Sequence, residues 1–147
     1  MSTRIRVLVV EDHSILRAAL VTAVRMSGEL LLAGEASTAT QAFESCRIVW
    51  PDIVLMGSHL PDLSVAETTA QLGKEFAGIK IISIVRYEAA SEMHSSVKAG
   101  ARGFVLRDML ATELLPAIQA VAAGRFYFPP EFGFVGLPGA EAATSQG

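Results

Sequence analysis

Short apolar runs alternate with amphipathic segments along most of the chain. Ile5–Val10 is an apolar run rich in Val, Ile and Leu, as expected of a strand buried on both faces of a parallel sheet. From Ile15 to Met26 apolar side chains recur every three or four residues, which predicts a helix that is capped by Ser14 and ended by Gly28. The chain therefore opens with a strand followed by a helix.

The same alternation continues to the last quarter of the chain. Four further strands are predicted at Leu30–Ala36, Asp52–Met56, Ile79–Val85 and Gly103–Leu106. Capping-box patterns, Thr38 with Gln41 and Ser64 with Glu67, open the second and third helices. A fourth helix is predicted from about Ala89 to Ala99. A fifth ends at Gly124, with a late start or a bend at Pro116. Five strands alternating with five helices predict an α/β domain with a parallel, doubly wound sheet.

The segment after the last helix has a different composition. Phe126–Gly139 mixes aromatic residues with three prolines, which predicts an irregular arm, and we expect the tail Ala140–Gly147 to be disordered. The aromatic side chains of the arm either form an exposed patch for a partner or pack back on the domain. We therefore predict one domain over residues 4–128 and an arm over residues 129–147.

Composition removes several classes of function. Twelve Lys and Arg against 15 Asp and Glu give a net charge of -3 without blocks of like charge, so no nucleic-acid surface is expected. No apolar run approaches the roughly 18 residues of a membrane span, and the N-terminus has no signal-peptide cleavage site. A soluble, cytoplasmic protein is expected. Cys46, the only cysteine, fits the apolar face of a helix and is predicted to be a buried structural thiol.

Two adjacent carboxylates mark the place where a ligand would be sought. In an open parallel sheet the binding crevice lies beyond the carboxyl ends of the strands, and Glu11 and Asp12 directly follow the first strand. Side by side they repel one another, so we expect a cation or a guanidinium partner, with plain solvation as the alternative. The sequence has no glycine-rich phosphate loop and no nucleophile elbow. His13, His59 and His94 are not spaced as metal ligands. The sequence therefore does not predict an enzyme.

Several motifs carry a specific resemblance. They are Val9-Val10-Glu11-Asp12-His13, Pro51-Asp52-Ile53-Val54-Leu55-Met56, Leu60-Pro61 and Gly100-Ala101-Arg102-Gly103-Phe104-Val105-Leu106-Arg107-Asp108. In this order and separation they resemble the CheY-like receiver domains of two-component response regulators, most closely those of NarL/LuxR type. The resemblance spans about residues 4–128. It implies a flavodoxin-like sheet of strand order 2-1-3-4-5.

The resemblance also implies roles for site residues, and the chain departs from the family at three of them. Glu11 and Asp12 match the acidic pair that helps to hold Mg²⁺. Gly57 stands where the family has its phosphoacceptor aspartate, Val85 where it has Ser or Thr, and Arg107 where it has Lys. The three altered positions would all contact one phosphoryl group, so we expect phosphorylation to be lost and Mg²⁺ binding to be weak or absent.

Phe104 matches the family's switch aromatic, and without an acceptor we expect ordinary core packing for it. For Arg107 we expect a bidentate contact with the acidic pair, the alternative being a side chain in solvent.

The expected function is a signal-transduction domain that does not depend on phosphorylation and acts through protein contacts or as a homodimer. One alternative is the receiver half of a helix-turn-helix transcription regulator, whose DNA contacts lie in a domain outside this chain. Another is phosphotransfer to a substitute acceptor, for which the candidates are Asp12, Ser58, His59 and Asp62.

Overall fold

The computed structural model describes residues 3–86 and 93–129. Within them, five parallel strands form one sheet in the order β2-β1-β3-β4-β5. The strands are β1 Ile5–Val10, β2 Leu30–Ala36, β3 Ile53–Met56, β4 Lys80–Val85 and β5 Gly103–Leu106. The predicted α/β class and strand order are confirmed.

Helices connect consecutive strands. They are α1 Ser14–Met26, α2 Ala39–Val49, α3 Val65–Glu75, α4 Met93–Ala99 and, after a short 3-10 turn at Arg107–Met109, α5 Leu110–Ala122. The predicted beginning of the fourth helix at Ala89 lies outside the described residues. No helix in the described ranges is both long and apolar enough to cross a membrane.

The apolar strands are buried on both faces because alternate side chains enter two separate cores. On β1, Val7 and Val9 pack with side chains of α1 and α5, whereas Leu8 and Val10 pack with side chains of α2 and α3. Cys46 of α2 is fully buried in the second core, and burial raises the pKa of its thiol to about 11. The predicted burial of this thiol is confirmed.

Two predictions about helix ends are wrong. The N-cap of α1 is His13 rather than Ser14, and Nδ1 of His13 accepts a hydrogen bond from the Leu16 N–H at 3.4 Å. The late start predicted for α5 is wrong, because the helix begins at Leu110 with Pro116 well inside it, whereas the bend given as the alternative stays a prediction. The Pro116 side chain is exposed, and the helix continues to Ala122 because Leu114, Ile118 and neighbouring side chains are anchored in the first core.

The beginning of the aromatic segment packs back on the domain. Tyr127 forms a parallel bridge with Gly103, and the Phe104 N–H donates to the Tyr127 carbonyl at 2.8 Å. Phe128 is buried against Phe104, with ring centroids 5.5 Å apart. This segment therefore covers the outer edge of β5. Most of the predicted arm, from residue 130 to residue 147, lies outside the described residues.

Candidate functional site

Glu11 and Gly57 meet at the carboxyl edge of the sheet. The Gly57 N–H donates to the Val10 carbonyl at 2.9 Å, which places the end of β3 beside the end of β1. The Glu11 side chain, only 3% exposed, lies over Gly57: a Cβ atom at residue 57 would overlap Oε1 of Glu11 and lie 2.7 Å from its Cδ. The carboxylate thus occupies space that any side chain at residue 57 would need.

The Glu11 carboxylate is held from one side only. Oε2 accepts a hydrogen bond from the His13 N–H at 2.8 Å. Oε1 is buried and has no hydrogen-bond partner in the described part of the chain. A buried acceptor without a donor is costly, by about 1–3 kcal/mol, so a strong reason is needed for this placement. The absence of a side chain at Gly57 leaves room for the carboxylate there, whereas the neighbouring Asp12 is exposed.

The arginine that contacts the acidic pair is Arg17 rather than Arg107. Nη1 of Arg17, one turn into α1, donates to the main-chain oxygens of Glu11 at 2.9 Å and Asp12 at 3.4 Å, and its Nε lies 3.6 Å from Oε1 of Glu35. Arg107 forms no hydrogen bond or ion pair with either carboxylate, and its buried Nε has no partner in the described residues. The predicted bidentate contact of Arg107 is therefore not formed.

The ends of β4 and β5 are apolar at the site. Val85 is the last residue of β4 and pairs with Leu106, so the position carries no hydroxyl group. The nearest hydroxyl on this strand belongs to Ser83, which is 1% exposed and whose Oγ has no hydrogen-bond partner within the described ranges. Phe104 is fully buried against Phe128, consistent with core packing.

Asp62 fastens the segment after β3 to the beginning of α2. Its carboxylate accepts hydrogen bonds from the Ala39 N–H at 2.9 Å, the Thr40 N–H at 3.0 Å and the Thr40 hydroxyl at 2.9 Å. The Thr40 N–H, followed by the Ala39 N–H, holds the pKa of Asp62 below its usual value. These contacts join segments 22 and 23 residues apart, so neither periodicity nor spacing in the sequence signals them.

The chemistry available at this edge is narrow. Among residues 3–86 and 93–129 there is no group of three or more His, Cys, Asp or Glu side chains placed to hold a metal ion. Asp12 and His59 are exposed, Ser58 is half-buried and Asp62 is engaged with α2. The described arrangement contains a buried carboxylate packed over a glycine, which is suited to a fixed packing role.

The sheet order, the helical layers and the acidic pair at the end of β1 define a domain of the signal-receiver class. The family model for the response regulator receiver domain matches residues 7–119. The chain belongs to this family.

Relatives of the chain are longer than the chain itself. It is 27% identical over 127 residues to the transcriptional regulatory protein LnrK of Bacillus subtilis, covering 86% of this chain and 58% of that protein. It is 28% identical over 127 residues to the probable transcriptional regulatory protein NarL of Mycobacterium tuberculosis, covering 86% and 59%. The chain thus spans less than two thirds of the length of these curated relatives.

Solved structures agree with this grouping. The signal receiver domain of NarL from Mycobacterium tuberculosis superposes with a TM-score of 0.79 at 27% identity, covering 84% of this chain and all of that one. A two-component response regulator of the LuxR family from Aurantimonas superposes with a TM-score of 0.82 at 25% identity, covering 98% of each chain. The chain is therefore similar to receiver domains of NarL and LuxR type.

Proposed function

We propose that this domain is a receiver that does not accept a phosphoryl group and regulates through protein contacts. The observation that carries the proposal is the Glu11 carboxylate packed into the space beside Gly57. In the family this space belongs to the acceptor aspartate, so here it offers neither a nucleophile nor room for a phosphoryl group. Val85 supplies no hydroxyl, and Arg107 replaces the usual lysine without contacting the acidic pair.

The same residues do not fit Mg²⁺. This ion requires near-octahedral oxygen coordination and releases water reluctantly. Oε2 of Glu11 already accepts from the His13 N–H, the Asp12 side chain is exposed on its own, and Gly57 contributes no ligand. We expect weak Mg²⁺ binding or none, and we assign no catalytic activity to the domain.

A homodimer is the proposed form. Ile15, at the start of α1, is 75% exposed, and Met109, in the 3-10 turn directly before α5, is 41% exposed, which places apolar side chains on the surface near the beginnings of these two helices. A protein with a similar fold assembles in this way: a structure of two RcsB dimers bound to two parallel DNAs has been solved. By analogy with the longer relatives, we propose that the domain is cytoplasmic and serves a transcription regulator whose DNA-binding part lies outside these residues.

Sedimentation velocity at several protein concentrations tests this proposal. We expect self-association that is the same with and without acetyl phosphate and Mg²⁺. The variant Ile15→Asp should weaken it at least tenfold, whereas Ile48→Asp, at an equally exposed residue of α2, should leave it unchanged. Association that appears only with acetyl phosphate would overturn the proposal and would direct attention to a substitute acceptor among Asp12, Ser58 and His59.

A further inference from the structure

A pocket of about 350 Å³ opens between α3, α4 and the end of β4. Its volume lies at the lower end of the range of small-molecule sites, about 300–1,000 Å³. Within residues 3–86 and 93–129, the residues that line it include no Asp or Glu. Their polar side chains belong to Ser58, His59, Ser64, Ser83, Ser95 and Ser96. Neither Glu11 nor Gly57 is among the lining residues, so this pocket is distinct from the contact between them.

The hydroxyl group of Ser83, which lines the pocket, has no hydrogen-bond partner among the described residues. Ile82 and Ile84 of β4 enter the core under α1 and α5, so the alternation of the strand turns Ser83 to the opposite face, toward α3 and α4. Ser83 is 1% exposed, and its Oγ has no hydrogen-bond partner in the described part of the chain. Leaving a buried hydroxyl unpaired is costly. A polar group inside the pocket would remove this cost.

The first turn of α3 supplies the pocket with hydrogen-bond donors. Val65 and Ala66, the first two residues of the 11-residue helix α3, line the pocket, and neither of their N–H groups has an acceptor among the described residues. The capping box uses the next N–H, that of Glu67, and turns the Glu67 carboxylate back to the Ser64 N–H at 3.3 Å. Free N–H groups at a helix N-terminus attract negative charge.

We propose that this pocket binds a small organic anion through its carboxylate or phosphate group. The Ser83 hydroxyl and the first-turn N–H groups of α3 would donate to the anionic oxygens. Leu60, Val65 and Val85 would contact the apolar body of the molecule. A molecule held in this way touches β4, α3 and α4 together, so its binding would stabilise one arrangement of α4 against the sheet. The domain would then respond to a metabolite instead of a phosphoryl group.

Amide chemical shifts in ¹H–¹⁵N spectra report on this site directly. Titrations use sodium acetate, sodium phosphate and neutral acetamide, with ionic strength held constant by sodium chloride. We expect saturable shifts at the amides of Val65, Ala66 and Ser83 with at least one of the two anions, and none that saturate with acetamide. The anion that binds more tightly identifies the head group as carboxylate or phosphate.

Two matched variants test the role of the orphan hydroxyl. Ser83→Ala removes it with little change in volume and should weaken anion binding at least fivefold. Thr69→Val removes another buried hydroxyl, which donates only to Sδ of Met56 outside the pocket, and should bind as the unmodified protein does. Thermal unfolding of both variants confirms that they are folded.

Three outcomes would overturn the inference: no saturable shifts with either anion, equal affinity for acetamide, or unchanged affinity in Ser83→Ala. Ser58, His59 and Val85 line this pocket and also enter the phosphotransfer proposal, so the two proposals are separated by what is measured: reversible amide shifts report anion binding, and a covalent gain in mass reports phosphorylation. The two proposals therefore fail separately.

Discussion

Oε1 of Glu11 lies where a side chain on Gly57 would begin. The two residues follow the ends of adjacent strands, so the backbone brings them together whatever their side chains are. With glycine at residue 57, the longer of the two acidic side chains at the end of β1 turns inward and fills the vacancy. We therefore expect the residue at position 57 to decide whether this edge of the sheet is an open acidic site or a packed one.

Restoring a carboxylate at residue 57 is expected to reopen the site. In Gly57→Asp the new side chain displaces the flexible end of Glu11, breaks its hydrogen bond with the His13 N–H and gathers three carboxylates. We expect the free energy of unfolding, measured in urea, to fall by about 1–3 kcal/mol. Added Mg²⁺ should recover most of this loss by binding the new site, while leaving the unmodified protein unchanged.

Two control variants separate the effect of the new charge on stability from the effects of added volume and of replacing a glycine. Gly57→Asn adds similar volume without charge and should be destabilised without recovery by Mg²⁺. In Gly73→Ala, on α3, an added Cβ meets nothing within 4 Å, and we expect stabilisation of about 0.5–1 kcal/mol from helix propensity. If Gly57→Asp were as stable as the unmodified protein and equally indifferent to Mg²⁺, the packed arrangement of Glu11 would be refuted.

Phe128 is expected to stabilise the outer edge of the sheet. Its ring is 2% exposed and packs on Phe104, so Phe128→Ala should lower the free energy of unfolding by about 3 kcal/mol. Phe126 is only partly buried and lies under the guanidinium of Arg102 at 5.4 Å, so Phe126→Ala should cost only about 1 kcal/mol. Equal losses in the two variants would show that the segment does not dock as described.

The anchoring of the β3–α3 segment by Asp62 should depend on pH. Because the pKa of this carboxyl group is lowered in the folded protein, its ionised form contributes stability above the ordinary value of 3.8, and the contribution is lost as pH falls below that value. At neutral pH, Asp62→Asn should have a lower melting temperature than the unmodified protein. The difference in melting temperature between the two proteins should become smaller in acid, and calorimetry at a series of pH values measures it.

Asp108→Asn serves as the control for loss of a charge. Asp108 is exposed on the 3-10 turn, so its replacement should leave the melting temperature nearly unchanged at every pH. A gap for Asp62→Asn that stays constant from neutral to acid pH would argue against the hydrogen bonds with Ala39 and Thr40.

The features of the fold that depend on neighbouring residues could be predicted from the sequence. The strands are buried on both faces and therefore read as apolar runs, and Thr38 and Ser64 cap α2 and α3 as their spacing predicts. The inward turn of Glu11, the contacts of Arg17 and the anchoring by Asp62 join elements far apart in the chain, and their directions depend on packing. Ser83 is similar: strand periodicity places it inside, but only the fold shows that none of the described residues offers its hydroxyl a hydrogen bond.

Arg107 shows why a substitution at a site does not by itself indicate a new contact. A guanidinium in place of the family's lysine suggested a bidentate contact with Glu11 or Asp12. In the structure Arg107 opens the 3-10 turn and leaves its Nε unpaired in the described residues, while Glu11 finds its space beside Gly57. The place where the strand ends and the direction that the side chain takes cannot be read from residue type.

We propose that no group in this domain takes a phosphoryl group from a donor. The intact mass of the protein after incubation with Mg²⁺ and acetyl phosphate tests this proposal. We predict an unchanged mass for the unmodified protein, with Gly57→Asp as the variant in which an adduct becomes possible. A single stable phosphoryl adduct on the unmodified protein would contradict the claim, and mapping its position would identify the acceptor.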